Sequence, residues 1–246
     1  MTLLVVSGTG TEVGKTVVTA SLAALARERG ASTAVLKPAQ TGVADGEPGD
    51  LAEVARLSRV EALHEIVRYP DPLSPAAAAR RSGRAPLDPA AFYDLALRLD
   101  REHDLVLVEG AGGLLVRYDE EGTTIADLAR GLRAPVLVVA GPQLGTLNHT
   151  ALTLEALAHR GVELSGVVIG SWPGDPGLAE RCNLRDLETL AARPLLGALP
   201  AGAGSLEPAA FLEAARDGLA PALGGTFDSR VFRSAWEQAP PTGSTT

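Results

Sequence analysis

At 246 residues and 46% apolar composition the chain is long enough to bury a sizeable core, and nothing in it marks a partition into separately folding units. A formal net charge of -8 disfavours a nucleic-acid partner, because such binding rests on a basic footprint that neutralises phosphates. The single cysteine, Cys182, rules out an internal disulfide, and four scattered histidines leave no zinc pattern.

Short apolar runs alternate with amphipathic stretches along the chain. Runs at residues 3–6, 33–36, 105–108, 136–140, 167–169 and 195–199 each predict a buried strand. Between them, residues 16–29, 89–102, 147–160 and 183–192 carry helical patterns, the first and third ended by Gly30 and Gly161. The alternation predicts an α/β fold: a doubly wound, mostly parallel sheet with helices on both faces and its binding site at the carboxyl ends of the strands. Residues 39–50, with three glycines and a proline, predict a mobile loop. Residues 1–239 are expected to form one domain and residues 240–246 a disordered tail. No secretory pattern opens the chain and no apolar run spans a bilayer, so a soluble cytoplasmic protein without a membrane partner is expected.

Twenty of the 22 basic residues are arginine, and the two lysines, Lys15 and Lys37, both follow apolar runs. An arginine-rich chain that keeps a compact, rotatable ammonium at two such sites points to phosphate handling. Lys15 lies in Gly8-Thr9-Gly10-Thr11-Glu12-Val13-Gly14-Lys15-Thr16, which joins a predicted strand to a predicted helix. That is the context of a P-loop: glycines turn amides toward an anion, the helix start adds partial positive charge, Lys15 reaches the terminal phosphates and the Thr16 hydroxyl is placed for magnesium. The usual spacing puts the first glycine at position 9, where this chain has Thr9.

A second element, DLVLVEGAGG at 104–113, places Glu109 at the end of an apolar strand, resembling a Walker B carboxylate for magnesium; an ordinary strand-end carboxylate is the alternative. Asp50 opens DLAE, a capping-box pattern with Glu53, so helix capping and metal ligation are both open to it.

The motifs GTGTEVGKT, KPAQTG, VEGAGG, LGTLNHT and RPLLGALP, in this order, resemble those of the dethiobiotin synthetases of biotin synthesis, from about Leu3 to Pro200. The resemblance accounts for Thr9, since the longer loop matches the family's own form. It implies a ligase that joins 7,8-diaminopelargonate and carbon dioxide at the expense of ATP or another nucleoside triphosphate, closing a cyclic urea through a carbamate and a carbamic-phosphoric anhydride. It also implies Lys37, Lys15 and Thr11 as catalytic residues, and Thr16, Asp50 and Glu109 as Mg2+ ligands. Nucleotide binding falls to Glu12, Val13, Gly14, Lys15, Thr16, Val17, Gly112, Gly170, Ser171, Pro200, Ala201 and Gly202. Substrate binding falls to Thr41, where relatives commonly have serine, and to Gly145, Thr146, Leu147 and Asn148. That last segment is expected to meet the substrate's distal carboxylate across a homodimer interface; a plain N-cap is the alternative for Asn148.

One departure bears on specificity. Relatives that select ATP carry Asn-Asp where this chain has Gly170-Ser171, so no side-chain amide is expected to read adenine, and CTP, GTP and UTP are expected to serve beside ATP. The competing fold-level assignment is a partner-regulated ATPase switch of the MinD or ParA kind. Such switches usually carry a further lysine early in the P-loop, absent here, and MinD relatives end in a basic membrane helix that Arg230 and Arg233 supply only weakly.

Overall fold

The structure, a computed structural model, describes residues 3–237. In chain order its main elements are β1 Leu3–Gly8, α1 Lys15–Glu28, β2 Thr33–Thr41, α2 Asp50–Ser58, β3 Ala62–Tyr69, α3 Pro75–Ser82, α4 Pro89–Glu102 and β4 Leu105–Gly113. Then follow α5 Ile125–Leu132, β5 Val136–Ala140, α6 Thr146–His159, β6 Leu164–Trp172, α7 Leu178–Ala191, β7 Gly197–Pro200, α8 Pro208–Gly218 and α9 Ser229–Glu237. The strands form one sheet in the order β3-β2-β4-β1-β5-β6-β7, and its pairings are parallel throughout.

Alternation within each strand splits the core between the two faces. In β5, Val136, Val138 and Ala140 pack into the layer under α3, α4, α5 and α7, while Leu137 and Val139 face the layer under α1, α2 and α8. Leu25 of α1 is fully buried in that second layer, and truncating such a leucine to alanine costs about 2–5 kcal/mol. Next to the far edge, Trp172 of β6 stacks edge-on against Phe232 and lies beside Trp236 of α9, so the last helix packs its aromatic face on the sheet. No helix among the described residues is long and apolar enough to cross a membrane.

The sequence pattern finds six of the seven strands, β7 at one rim included, and misses the other rim. It passes over β3, an edge strand whose ALHEIVRY sequence is only partly buried, so its alternation is masked by His64, Glu65 and Arg68. It also passes over α3 and α5, each only eight residues long. The α7 helix begins at Leu178, ahead of the predicted start at 183.

More consequential is the extent of β2, which does not stop at Leu36 but pairs with β3 through Thr41. Lys37 therefore lies inside a strand and is almost wholly buried, not at a polar strand end. The loop predicted to be mobile is correspondingly shorter, and it is fastened: Arg68 donates to the Ala44 and Glu47 carbonyls, and Arg84 holds Asp45 at 2.7 and 2.8 Å. The expected tail at 240–246 lies outside the described residues.

Candidate active site

The β1–α1 connection wraps back over the strand ends. Its helix begins at Lys15 behind Gly14, whose φ of 95° belongs to the left-handed region that glycine tolerates. Glu12 is also left-handed, at φ 59°, which for a non-glycine residue is strain of the kind kept at functional loops. No side chain caps α1, so the first-turn amides of Lys15, Thr16 and Val17 face outward as an anion site. The Lys15 ammonium donates to the Gly10 carbonyl at 2.8 Å, holding it over the loop. Burial, and then the nearby Lys37, lower its pKa to about 8.

Behind the loop stands a charge cluster contributed by three elements. The Lys37 ammonium lies 2.7 Å from Glu109 Oε1 and 2.5 Å from an Asp50 carboxylate oxygen. Burial works to lower the pKa of Lys37, but the Glu109 and Asp50 carboxylates prevail and raise it above the ordinary lysine value. Thr16 donates its hydroxyl to the same Glu109 Oε1 at 2.9 Å. Lys37 of β2 and Thr16 of α1, the helix that follows β1, therefore meet at Glu109, on β4 between those two strands. Asp50 does not play the capping role its sequence allows. The N-cap of α2 is Gly49, Asp50 is the first helical residue, and Glu53 pairs with Arg56 at 2.6 Å.

These groups line a cavity of about 350 Å³ together with Thr11, Glu12, Gly14, Val17, Ala39, Gln40, Thr41, Ala111 and Gly112. The donor set suits a hard divalent cation. Glu109 Oε2 is buried with no hydrogen-bond partner, and the Thr16 hydroxyl and Asp50 carboxylate share the cavity with it. Among the described residues no group of three or more carboxylate, imidazole or thiol ligands converges, so a protein-only cage is absent. An ion that keeps several waters and leans on substrate phosphates, as Mg2+ does, fits such a site.

The remaining expected nucleotide residues lie along the sheet from this cavity and do not line it. Gly170 sits in β6 against the P-loop: a Cβ there would come within 2.0 Å of the Val13 carbonyl oxygen, and one on Gly14 within 2.6 Å of the Gly170 oxygen. Ser171 is exposed beside it, and Pro200 pairs with Trp172, carrying exposed Ala201 and Gly202 into the same edge. The Ala201 amide is spent on the Trp172 carbonyl at 2.7 Å.

Gly145, with φ of 95°, precedes α6. The Thr146 hydroxyl caps nothing but donates to the Gly141 carbonyl at 2.6 Å, Leu147 packs on the core, and Asn148 is exposed in the first turn, where it is not the N-cap. None of these four lines the cavity of its own chain.

Sequence comparison then fixes the relationship. A family profile described as an AAA domain matches residues 2–208. The ATP-dependent dethiobiotin synthetase BioD of Frankia casuarinae is 62% identical over 240 residues, covering 96% of this chain and all of that protein. Its namesake in Streptomyces coelicolor is 60% identical over 232 residues, covering 94% of this chain and 98% of that one. The chain belongs to the dethiobiotin synthetase family. Among solved structures, the Pyrococcus furiosus cell division ATPase MinD aligns at 19% identity and TM-score 0.51, over 81% of this chain and 83% of that one. A ParA family ATPase from Chlorobium tepidum aligns at 15% identity and TM-score 0.51, over 97% and 99%. At such identities the likeness is one of fold, so the switch proteins share the dethiobiotin synthetase scaffold and nothing further follows about activity.

Within this dethiobiotin synthetase site two residues escaped the sequence. Gln40 is almost fully buried and lines the cavity, and only its place in KPAQTG hinted at it. Tyr118 is fully buried and its hydroxyl accepts the Ala111 amide at 2.7 Å, steadying the glycine-rich turn after Glu109. Burial pushes that hydroxyl up to about 12, so it stays protonated. No local pattern signals Tyr118, because its partner is fixed by the turn between them.

Proposed function

We propose that this chain makes dethiobiotin from 7,8-diaminopelargonate, carbon dioxide and a nucleoside triphosphate, through a carbamate that is phosphorylated and then displaced by the neighbouring amine. The observation that carries this reading is the Lys37 ammonium fixed between Glu109 and Asp50 beside the P-loop lysine, in one cavity with Thr11 and Thr41. The reaction crowds a carbamate against a triphosphate, so it needs cations held in place more than it needs a protein nucleophile.

Each residue then has a task. The outward amides of the first turn of α1 receive phosphate oxygens, and Lys15 leaves the Gly10 carbonyl for the transferring phosphate. Two of the three Lys37 protons point at carboxylates, and the third reaches the Gly110 carbonyl only at 3.4 Å, which leaves it to turn toward a carbamate oxygen. Thr16, Asp50 and Glu109 hold Mg2+, which when bound neutralises the triphosphate. Thr11 and Thr41 offer hydroxyls to the phosphate and to the carbamate or amine.

The base is held at the edge formed by Gly170, Ser171 and Pro200 to Gly202, where backbone and shape select weakly, so CTP and other triphosphates serve beside ATP. Gly145 to Asn148 take the substrate's distal carboxylate in the partner subunit of a homodimer. The exposed Leu115, Leu144 and Leu152 near that segment support an interface there. Residues 1–239 act as one domain in the cytoplasm, a setting that suits the free, exposed Cys182.

The test is direct: purified protein, diaminopelargonate, bicarbonate, magnesium and each triphosphate in turn, with dethiobiotin detected by mass spectrometry. Triphosphate hydrolysis without ring closure, stimulated only by another protein, would overturn the reading in favour of a switch ATPase.

A further inference from the structure

Helix α2 lacks a side-chain cap of its own. Its N-cap is Gly49, which has no side chain, yet the next residue carries one of the carboxylates on Lys37. The missing acceptor comes from elsewhere. Gln40, on the same strand as Lys37, accepts the Asp50 amide proton through its Oε1 at 2.9 Å, while its Nε2 donates to the Thr41 carbonyl at 3.2 Å. Both ends of the side-chain amide are thus engaged, and the residue is only 3% exposed.

Gly49 completes the arrangement. A Cβ there would stand 2.7 Å from Gln40 Oε1 and 2.9 Å from its Cδ, so the approach of the amide to α2 depends on glycine at that position. Its φ of −107° is open to any residue, so conformational freedom is not the reason for the glycine.

We propose that Gln40 is a positioning residue for the reaction site: capping α2 from the neighbouring strand, it fixes Asp50 against Lys37. The proposal rests on the reading of Asp50 as a working carboxylate of that site. A helix start without an acceptor frays at its first turn, and Asp50 occupies that turn with its carboxylate still about a third exposed to the cavity. Held by the bond that its amide donates to the Gln40 side chain, it presents one geometry to Lys37 and to a divalent cation.

Two variants break the bond by different routes. Gln40→Leu removes the acceptor at similar size, and Gly49→Ala drives the amide away without altering Gln40 or Asp50. The second keeps the test alive should the first fail to fold. Both should raise amide hydrogen exchange at Asp50, and both should raise the Mg2+ concentration for half-maximal ring closure about fivefold, the scale of one lost hydrogen bond. In an Asp50→Asn background neither should change the metal requirement further, because the effect travels through the Asp50 carboxylate. Two folded variants with wild-type exchange at Asp50 and a wild-type metal requirement overturn the proposal. An equal, additive loss in the Asp50→Asn background overturns it too, as the mark of a merely structural role. An Asp50→Asn protein with wild-type turnover and metal requirement instead overturns the reading of Asp50 itself, whereas impairment by Asp50→Asn with normal Gln40→Leu and Gly49→Ala sinks only the positioning role.

Discussion

The two ends of the expected nucleotide site are built on opposite principles. At the phosphate end, Lys15, Lys37 and Glu109 are buried side chains, Lys15 held on the Gly10 carbonyl at 2.8 Å and Glu109 on Lys37 and Thr16 at 2.7 and 2.9 Å. At the base end, Ser171, Pro200, Ala201 and Gly202 are exposed, and Gly170 touches the P-loop through backbone alone. A reaction among crowded anions needs charges that cannot relax, and burial among partners supplies that. Holding a base needs only a surface, and a surface of small residues has little with which to discriminate.

The largest test of this contrast is Lys37→Arg. A guanidinium keeps the charge but cannot fit its planar fork between Glu109 and Asp50, so kcat should fall by about a hundredfold or more. Because the site is almost fully buried, the melting temperature should also fall, while circular dichroism remains that of a folded protein. Near-normal ring closure would show that the ammonium is not what the site was built around.

Glu109→Gln comes next. It removes the carboxylate shared by Lys37 and Thr16 and the unpartnered Oε2, so magnesium titrations should shift by about tenfold or more, with the KM for diaminopelargonate changing far less. Equal shifts in both would deny the separation of metal and substrate duties.

The Lys15 pKa, lowered to about 8, gives a smaller effect with a definite sign. Below that pH the ammonium is charged and grips phosphate; as pH rises through it, kcat/KM for the triphosphate should decline, while Lys37, whose pKa is raised, keeps its proton. The stability contribution runs the other way. The folded pKa lies below the unfolded value of 10.5, so the cost of burying the charge is fully present below about pH 8 and is relieved between there and 10.5. Lys15→Arg should abolish the decline in kcat/KM, and a decline unaltered in that variant would assign it to another group.

The smallest effect is expected at the base end. ATP, CTP, GTP and UTP should differ by no more than one lost polar contact, about 1–3 kcal/mol, in kcat/KM under equal magnesium. Strict ATP dependence would show that the backbone near Pro200 reads adenine unaided. Gly170→Asn sharpens the point: with the Val13 carbonyl 2.0 Å from the new Cβ, it should displace the P-loop and weaken every triphosphate alike instead of restoring a preference for adenine.

Much of this site was legible because its residues travel in motifs. Lys15 and Thr16 follow β1, and Glu109 follows the apolar run 105–108, although β4 continues to Gly113 and so puts it inside the strand and not at the expected strand end; adjacent parallel strands still bring the two together. Asp50 was only half legible: DLAE reads as a cap, and the structure turns its carboxylate to Lys37 because Gln40 does the capping. Gln40, Tyr118 and the Gly14–Gly170 contact act through partners that no local periodicity encodes. The extension of β2 past Lys37 was hidden for a related reason, since Pro38, Gln40 and Thr41 look like a loop until β3 is there to pair with them.

The aromatic cluster on β6 has an optical consequence. The chain contains two tryptophans, Trp172 and Trp236, and both belong to that cluster, with Trp172 paired to Pro200 at the base edge. Fluorescence excited selectively in indole therefore reports from this one corner and is silent about Lys15, Lys37 and Glu109. A change in emission on adding a triphosphate, absent on adding pyrophosphate, would time the arrival of the base separately from that of the phosphates, with no label introduced.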